Sequence, residues 1–232
     1  MLTITKLGIG TAREYFQTEF ANASNSYFSE KGAIQGRWRG SLAEDLGLSG
    51  VVREEAYLRL IEGQDPKTSE QWIKHRDTYL TREGQEAGHI PAWDLTLSAP
   101  KSFSLAALVG EDDRLIRAAQ VANAKAMEVM EGYVQARGGG NHLPINTGRW
   151  IVATFQHDTS RPVDGYPAPQ LHFHNVVMNM QRPLAAGRQD HRREGEVLGR
   201  DRVSVLAHAG GTGADVAGLR PPVLRIDLRL PA

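Results

Sequence analysis

The sequence predicts an α+β domain in which helices pack on one face of a small, largely antiparallel sheet. Residues 93–98 alternate apolar and polar side chains, which is typical of a half-buried strand. Residues 112–137 place apolar side chains at three- and four-residue steps, which predicts an amphipathic helix. Two further strand-like runs, 150–156 and 170–179, follow each other with only a loop between them. We therefore expect these two strands to be neighbours in the sheet.

The N-terminal part predicts one edge strand and several short helices. Residues 1–9 alternate apolar and polar side chains, as an edge strand does. Thr11-Ala12-Arg13-Glu14 is a capping-box pattern, so a helix should begin near Thr11 and carry Tyr15. Ser41-Leu42-Ala43-Glu44 repeats that pattern and predicts a short helix that stops by Gly47. A further helix is expected over residues 52–62, followed by a polar surface excursion over 63–90.

The second half carries the long helix and the remaining strands. Asp112 and Asp113 lie where acidic residues favour a helix N-terminus, and the helix should close at Arg137 and Gly138. The segment that links the strand at 93–98 to this helix contains Lys101 and Ser102. We interpret these two residues either as an ordinary loop or as phosphate contacts.

Histidines at the ends of two predicted strands form a candidate metal site. His172 and His174 are two residues apart on one strand, so their side chains leave the same face. His157 ends the preceding strand, and pairing of the two strands would bring all three imidazoles together. Three neutral histidines with an open fourth position hold a divalent metal for chemistry. The His-x-His pattern alone also fits two half-buried polar residues on an edge strand.

Polar residues elsewhere could complete a site for phosphoryl chemistry. A three-histidine metal can polarise a phosphoryl oxygen, and the reaction then needs a nucleophile. Tyr15 and Tyr27 are candidates, because a nearby cation favours the phenolate of a side chain whose pKa is ordinarily ~10. Asp94 lies on the polar face of its strand. It could accept a proton or hydrogen-bond a ligating histidine, and we favour the second role.

Composition limits the kinds of metal site, the location and the partners that the protein can have. The 232 residues include no cysteine, which excludes disulfides and thiolate metal sites and fits an intracellular protein. No apolar run approaches the ~18 residues of a membrane span, so no membrane partner is expected. The 27 basic and 27 acidic residues give a net charge of zero, which does not by itself indicate a nucleic-acid partner.

The last segment differs in character from the rest. Residues 181–232 contain none of the chain's 6 Phe, 6 Tyr and 4 Trp, and they are dominated by Arg, Gly, Ala, Leu, Val and Pro. Such a segment lacks the large side chains that fill cores. We therefore expect one domain over residues 1–180 and a divergent tail over 181–232, disordered or produced by a truncation or a reading-frame change.

Three ordered motifs carry a family resemblance. They are DLTLSAPKS at residues 94–102, HDTSR at 157–161 and PQLHFHNVVMN at 169–179. Together they resemble the relaxase domain of MobF-type conjugative relaxases, which are part of the HUH endonuclease group. The sequence LGLSG at 46–50 is a minor support. The resemblance covers about residues 1–180 and stops near Asn179, so the relaxase domain is expected to be truncated here.

The resemblance implies a fold, an activity and partners. It implies a palm-like antiparallel sheet of the HUH type, with an RRM-like core, and one divalent metal on His157, His172 and His174. Mg, Mn and Zn are the candidate metals. The implied activity is site- and strand-specific nicking of single-stranded DNA at a plasmid transfer origin, through a 5′-phosphotyrosine adduct that is later rejoined. Accessory relaxosome and type IV secretion proteins are the implied further partners, and the bacterial cytoplasm is the implied location.

The resemblance also assigns roles to individual residues. Tyr15 resembles the nicking tyrosine, and Tyr27 the one available for a second strand transfer. Asp94 matches the aspartate behind the histidines, and Arg161 lies in the matching His-x-x-Ser-Arg segment, where it could contact a phosphate. Family members often carry Tyr-Tyr pairs where this chain has Tyr-Phe, so two nucleophiles are the maximum.

Three functional classes remain open on the sequence. The first is a DNA relaxase that cleaves and rejoins single strands through tyrosine. The second is a truncated, non-catalytic relaxase remnant that binds only DNA or metal. The third is a three-histidine metal hydrolase in which bound hydroxide replaces tyrosine. No Gly-x-x-x-x-Gly-Lys-Ser/Thr phosphate loop occurs in the sequence, so no ATP-driven motor is expected in it.

Overall fold

The computed structural model describes residues 1–15, 36–73, 79–80, 82, 86–87, 90–138, 145–161, 163–180, 202–207 and 224–229. Within these ranges the helices are α1 (Ile9–Tyr15), α2 (Ser41–Asp45), α3 (Glu54–Ile61), α4 (Lys101–Leu108) and α5 (Asp113–Glu131). The strands are β1 (Leu2–Leu7), β2 (Arg37–Arg39), β3 (Tyr79–Leu80), β4 (Glu86–Ala87), β5 (Ala92–Ser98), β6 (Gln135–Gly138), β7 (Ile145–Asn146), β8 (Val152–Thr159), β9 (Pro169–Met178), β10 (Arg202–Ala207) and β11 (Leu224–Arg229).

Five strands form the main sheet in the order β1-β5-β9-β8-β2, and every neighbouring pair is antiparallel. The central strand β9 lies between β5, which carries Asp94, and β8, which carries His157. The register pairs His157 with His172, and Thr96 with His174. The predicted α+β class and antiparallel sheet are confirmed.

Helices cover both faces of this sheet, although the sequence predicted helices on one face only. Helices α4 and α5 pack on the face that carries Leu171, Phe173 and Val177 of β9. Helices α2 and α3 pack with Val176 and Met178 on the opposite face. The central strand thus has apolar side chains on both faces at residues 176–178. Helices must cover both faces to bury these side chains away from water.

The helix α5 begins as predicted and ends earlier than predicted. The Asp112 side chain accepts a hydrogen bond from the Arg114 N–H and caps the first turn. The helix ends at Glu131, and residues 135–138, which were assigned to it, form β6. Gly132 weakens the helix at this point, and Val134 and Ala136 are buried against the main sheet instead. The prediction of a helix up to Arg137 was wrong for this physical reason.

A second sheet has the order β10-β11-β6-β7, in which β11 runs parallel to β6. Two of its strands, β10 and β11, lie in the segment 181–232. The domain boundary at residue 180 and the origin of the tail in a truncation or a reading-frame change stay predictions. In the part of the chain that the structure describes, no helix is long and apolar enough to cross a membrane.

Candidate metal centre

Three histidines converge at one end of the main sheet, on the face that also packs against α3. His172 and His174 project from β9, and His157 projects from the neighbouring β8. Their ring centroids are 5.2 Å (157–172), 4.9 Å (157–174) and 5.0 Å (172–174) apart. One ring nitrogen from each histidine lies within 4.8 Å of the other two. The predicted convergence of the three imidazoles is therefore present.

A hydrogen bond fixes the orientation of each of the two β9 histidines. His174 Nδ1 lies 2.7 Å from Asp94 Oδ2, and the side chain of Asp94 is almost fully buried. His172 Nδ1 lies 2.9 Å from the carbonyl oxygen of Gln170. Carbonyl and carboxylate oxygens accept hydrogen bonds, so a proton on Nδ1 satisfies both contacts and leaves Nε2 with its lone pair. Such outer partners hold metal-ligating histidines in proteins.

Burial keeps His157 and His172 uncharged near neutral pH. Desolvation, followed by the charges of His174 and His172, lowers the pKa of His157 to about 3. Desolvation also lowers the pKa of His172 from its ordinary value. Metal ions bind the neutral imidazole, so a lowered pKa keeps these side chains ready for a metal at the pH of a cell.

The donor set fits a divalent metal ion. It consists of three imidazoles, two of which already engage Nδ1 in a hydrogen bond, and imidazole nitrogen is a common ligand for first-row transition metals. Each described histidine of the cluster contributes one nitrogen, so three protein ligands leave positions for water or substrate. Among the described residues the ligand set is therefore the three-histidine type that catalytic metal sites use.

Helix α1 is anchored close to this centre. The Tyr57 hydroxyl on α3 donates to the carbonyl oxygen of Ala12 on α1, at 3.4 Å. Burial, and then the charge of Asp94, raise the pKa of Tyr57. Tyr57 also packs edge-on against Phe155, with ring centroids 6.5 Å apart. A buried phenol with a raised pKa is a structural anchor, not a nucleophile.

The other predicted site residues lie at different places. Tyr15 is the last residue of α1, its side chain lies outside the described part, and Tyr27 lies outside the described residues altogether. Lys101 and Ser102 are exposed in the first turn of α4, not in a loop, and Lys101 Nζ donates to the Pro169 carbonyl oxygen at 2.7 Å. Arg161 is exposed in the connection between β8 and β9.

Two residues of the site were missed at the sequence level. Thr96 Oγ1 donates to Asp94 Oδ2 at 3.0 Å and lies 3.3 Å from His174 Nδ1. The signal was available, because Thr96 follows Asp94 by two positions on an alternating strand and so shares its face. Gln170 acts through its backbone carbonyl, which no side-chain pattern reveals.

A His-x-His strand at the centre of an antiparallel sheet, with a third histidine beside it and a buried aspartate behind it, is the arrangement that the resemblance to the HUH group implied. Comparison with known proteins gives the family. The family model of the TrwC relaxases matches residues 9–203. The chain belongs to the TrwC relaxase family.

The relatives and solved structures agree with this assignment. The multifunctional conjugation protein TraI of Escherichia coli is 35% identical over 191 residues, which are 79% of this chain and 10% of TraI. TraI of E. coli strain K12 is 34% identical over 195 residues, or 81% of this chain and 10% of that protein. The metal-bound complex of conjugative relaxase TrwC with oriT DNA matches at 33% identity and a TM-score of 0.57, over 78% of this chain and 57% of the TrwC chain. The chain thus spans about a tenth of TraI and over half of that TrwC chain.

Proposed function

We propose that this chain nicks single-stranded DNA at a plasmid transfer origin by tyrosine transesterification and later rejoins it. The single observation that carries the proposal is the cluster of His157, His172 and His174, oriented by Asp94, in a chain of the TrwC relaxase family. Structures of TrwC with oriT DNA, including one with a 27-mer that comprises the recognition hairpin and the cleavage site, support DNA as the substrate.

The proposed nucleophile is Tyr15. Its backbone ends α1, one turn beyond Ala12, and the contact from Tyr57 to Ala12 holds that helix beside the buried Asp94. The phenol oxygen of Tyr15 attacks phosphorus and forms the phosphotyrosine bond. The bond from phosphorus to the 3′ oxygen breaks, and that oxygen leaves and takes up a proton as the phenol loses one. Tyr27 is proposed for a second transfer of the same kind.

The histidines and their partners prepare the phosphate site. Asp94 and the Gln170 carbonyl keep His174 and His172 in the tautomer that presents Nε2. When bound there, a divalent ion supplies positive charge that polarises the phosphoryl oxygen and favours a phenolate nearby. We propose Mg, Mn or Zn as the ion. Arg161, Lys101 and Ser102 are proposed to contact phosphates near the cluster.

The wider setting follows from the same proposal. A plasmid transfer origin lies in the bacterial cytoplasm, which is the proposed location of the protein. Relaxosome accessory proteins and a type IV secretion apparatus are the proposed further partners, since a nicked strand must be held and exported in conjugative transfer.

A covalent adduct assay tests the proposal. The protein is incubated with Mg²⁺ or Mn²⁺ and a labelled single-stranded oligonucleotide that carries a plasmid-type transfer origin. A denaturation-resistant protein–DNA adduct that disappears in Tyr15→Phe is the expected result. Tyr133→Phe is the matched control, because Tyr133 is an exposed tyrosine just after the C-terminal end of α5, and this variant should still form the adduct.

Other outcomes separate the alternatives. DNA binding without an adduct would identify a non-catalytic relaxase remnant. Metal-dependent hydrolysis that survives in both Tyr15→Phe and Tyr27→Phe would identify a three-histidine hydrolase that uses bound hydroxide. Either result would overturn the proposed transesterification.

A further inference from the structure

The connection between β8 and β9 closes in an ordered β-hairpin turn. Val163 and Tyr166 exchange both backbone hydrogen bonds, at 3.1 and 2.9 Å. Asp164 and Gly165 between them have φ values of 51° and 79°. Two positive φ angles define a type I′ turn, whose twist matches that of paired strands. The tip is therefore held in one conformation by its own backbone.

The hairpin extends the two strands that carry the histidine cluster. His157 pairs with His172, Thr159 pairs with Pro169 after a register shift, and Ser160 N–H donates to the Ala168 carbonyl at 2.9 Å. The turn thus lies beyond Ser160 and Ala168, on the side of this pairing away from the cluster. At about 3.3 Å per residue, the paired segment from His157 to Ser160 itself extends roughly 10 Å from the cluster.

The tip presents an aromatic and an aliphatic side chain to solvent. Tyr166 is 64% exposed and Val163 is 72% exposed. They are directly paired across the two arms, so their side chains lie on the same face of the hairpin. Among the described residues, neither Val163 nor Tyr166 belongs to a hydrophobic core cluster. The apolar surface of these two side chains therefore does not contribute to the core.

Positive charge lies at the base of the same hairpin. Arg161 is exposed on the outgoing arm. Lys101 reaches the returning arm at the Pro169 carbonyl oxygen. An exposed aromatic beside basic side chains is the combination that binds single-stranded nucleic acid, since the cations follow the phosphates and a ring stacks on an unpaired base.

We infer that the hairpin described by residues 160–161 and 163–168 is a single-strand binding element in which Tyr166 stacks on a base a few nucleotides from the phosphate held at the histidines. The inference rests on the proposed function, because it takes the single strand as the ligand of the cluster. Val163 pairs directly with Tyr166 and therefore lies on the same face of the hairpin, where its apolar side chain would adjoin the stacked base. Duplex DNA is a poor ligand for this element, because its bases already stack on one another.

Fluorescence anisotropy with a labelled random-sequence single-stranded DNA pool tests this inference. Tyr166→Ala should weaken binding by about 5- to 150-fold, the usual range for loss of one stacked base. Tyr166→Phe keeps the ring and should bind like the unmodified chain. The slope of log affinity against log salt should stay the same in Tyr166→Ala, because no phosphate contact is lost.

Tyr133→Ala is the matched control. Tyr133 is also an exposed tyrosine, at 41%. It follows the C-terminal end of α5, which packs near Trp150 and Val177 at the far end of β9 from His172. Its removal should leave DNA affinity unchanged, and thermal melting should confirm that all three variants are folded.

The outcomes distinguish this inference from the proposed function. If the unmodified chain binds the pool and Tyr166→Ala binds it equally well, the hairpin inference is overturned and the proposed function stands. If Tyr166→Ala weakens duplex and single-strand binding by the same factor, the inferred stacking of Tyr166 on an unpaired base is overturned. If the unmodified chain binds neither the pool nor single-stranded transfer-origin DNA, both the proposed function and the inference fail.

Discussion

Asn123 on α5 and Asn175 on β9 exchange two side-chain hydrogen bonds, each 3.0 Å long, in the buried interface between the long helix and the centre of the main sheet. Asn175 also accepts from the Thr154 hydroxyl at 2.9 Å and donates to the Leu95 carbonyl at 3.0 Å. One amide thus ties together β5, β8, β9 and α5, directly beside His174 in sequence but on the opposite face of the sheet.

Truncation of this contact should destabilise the fold. Asn123→Ala leaves a buried N–H of Asn175 without its acceptor, which costs about 1–3 kcal/mol. Denaturant unfolding measures the change. Gln120→Ala is the control, because Gln120 on the same helix makes an exposed amide contact with Gln156, and its loss should change the free energy of unfolding by no more than about 0.5 kcal/mol. Equal effects of the two variants would contradict this interpretation.

Removal of the aspartate behind His174 should weaken metal binding. Asp94→Ala removes the carboxylate that hydrogen-bonds His174 Nδ1. Loss of such a partner typically lowers metal affinity by about 10- to 100-fold. Competition with a chromogenic chelator measures the dissociation constant. Asp113→Ala, at an exposed carboxylate in the first turn of α5, should leave it unchanged. An unchanged constant in Asp94→Ala would show that the hydrogen bond between Asp94 and His174 does not support metal binding.

Loss of one histidine should separate cleavage from binding. His172→Ala removes one of the three nitrogens of the cluster, so adduct formation with transfer-origin DNA should disappear. DNA affinity should fall only modestly, since most contacts to a single strand are made elsewhere along it. Gel-shift and adduct assays on the same preparation measure both quantities. Undiminished cleavage by His172→Ala would refute the metal assignment.

The proposed phosphate contact of Arg161 makes a prediction about salt. One contact to a single strand contributes about 0.7 to the slope of log affinity against log salt concentration. Arg161→Ala should therefore flatten the slope by about that amount. Arg114, which is exposed and paired with Asp112, provides the control substitution. Parallel lines for Arg161→Ala and the unmodified chain would show that Arg161 touches no phosphate.

Acid should destabilise the metal-free protein. The pKa of His157 is about 3 in the fold and about 6.5 in an unfolded chain. Between these values the unfolded chain binds more protons, so the free energy of unfolding falls as the pH drops below about 6.5. Denaturant unfolding of chelator-treated protein at several pH values measures the slope. His157→Gln should show a shallower slope, and an identical slope would show that His157 is not the group responsible.

Local periodicity accounts for the parts of the site that could be predicted. The alternation of β5 and β9 places Asp94, His172 and His174 on defined faces, and strand pairing then adds His157. Contacts that depend on the tertiary fold could not be obtained in this way. The carbonyl of Gln170 and the amide pair of Asn123 and Asn175 become partners only once the sheet and α5 are packed.

The difference between local patterns and tertiary contacts also explains the errors in the predicted fold. The early end of α5 reflects burial of Val134 and Ala136 in the packed structure, which overrides a helical pattern that continues past Glu131. The packing of α2 and α3 on the histidine face depends on contacts with residues distant in sequence, such as Met178. The first turn of α4 at Lys101 and Ser102 was missed, because Pro100 before it was interpreted as part of a loop.

The position of Met1 decides how the protein should be prepared for these measurements. Its ammonium donates to the Ser98 carbonyl at 2.7 Å, and Ser98 pairs with His172 on the next strand. Residues joined ahead of Met1 would start about two strand spacings, roughly 10 Å, from the metal cluster. A polyhistidine purification tag at that end would bring competing imidazoles to the same place. Metal titrations therefore need a tag at the other terminus or complete removal of the tag.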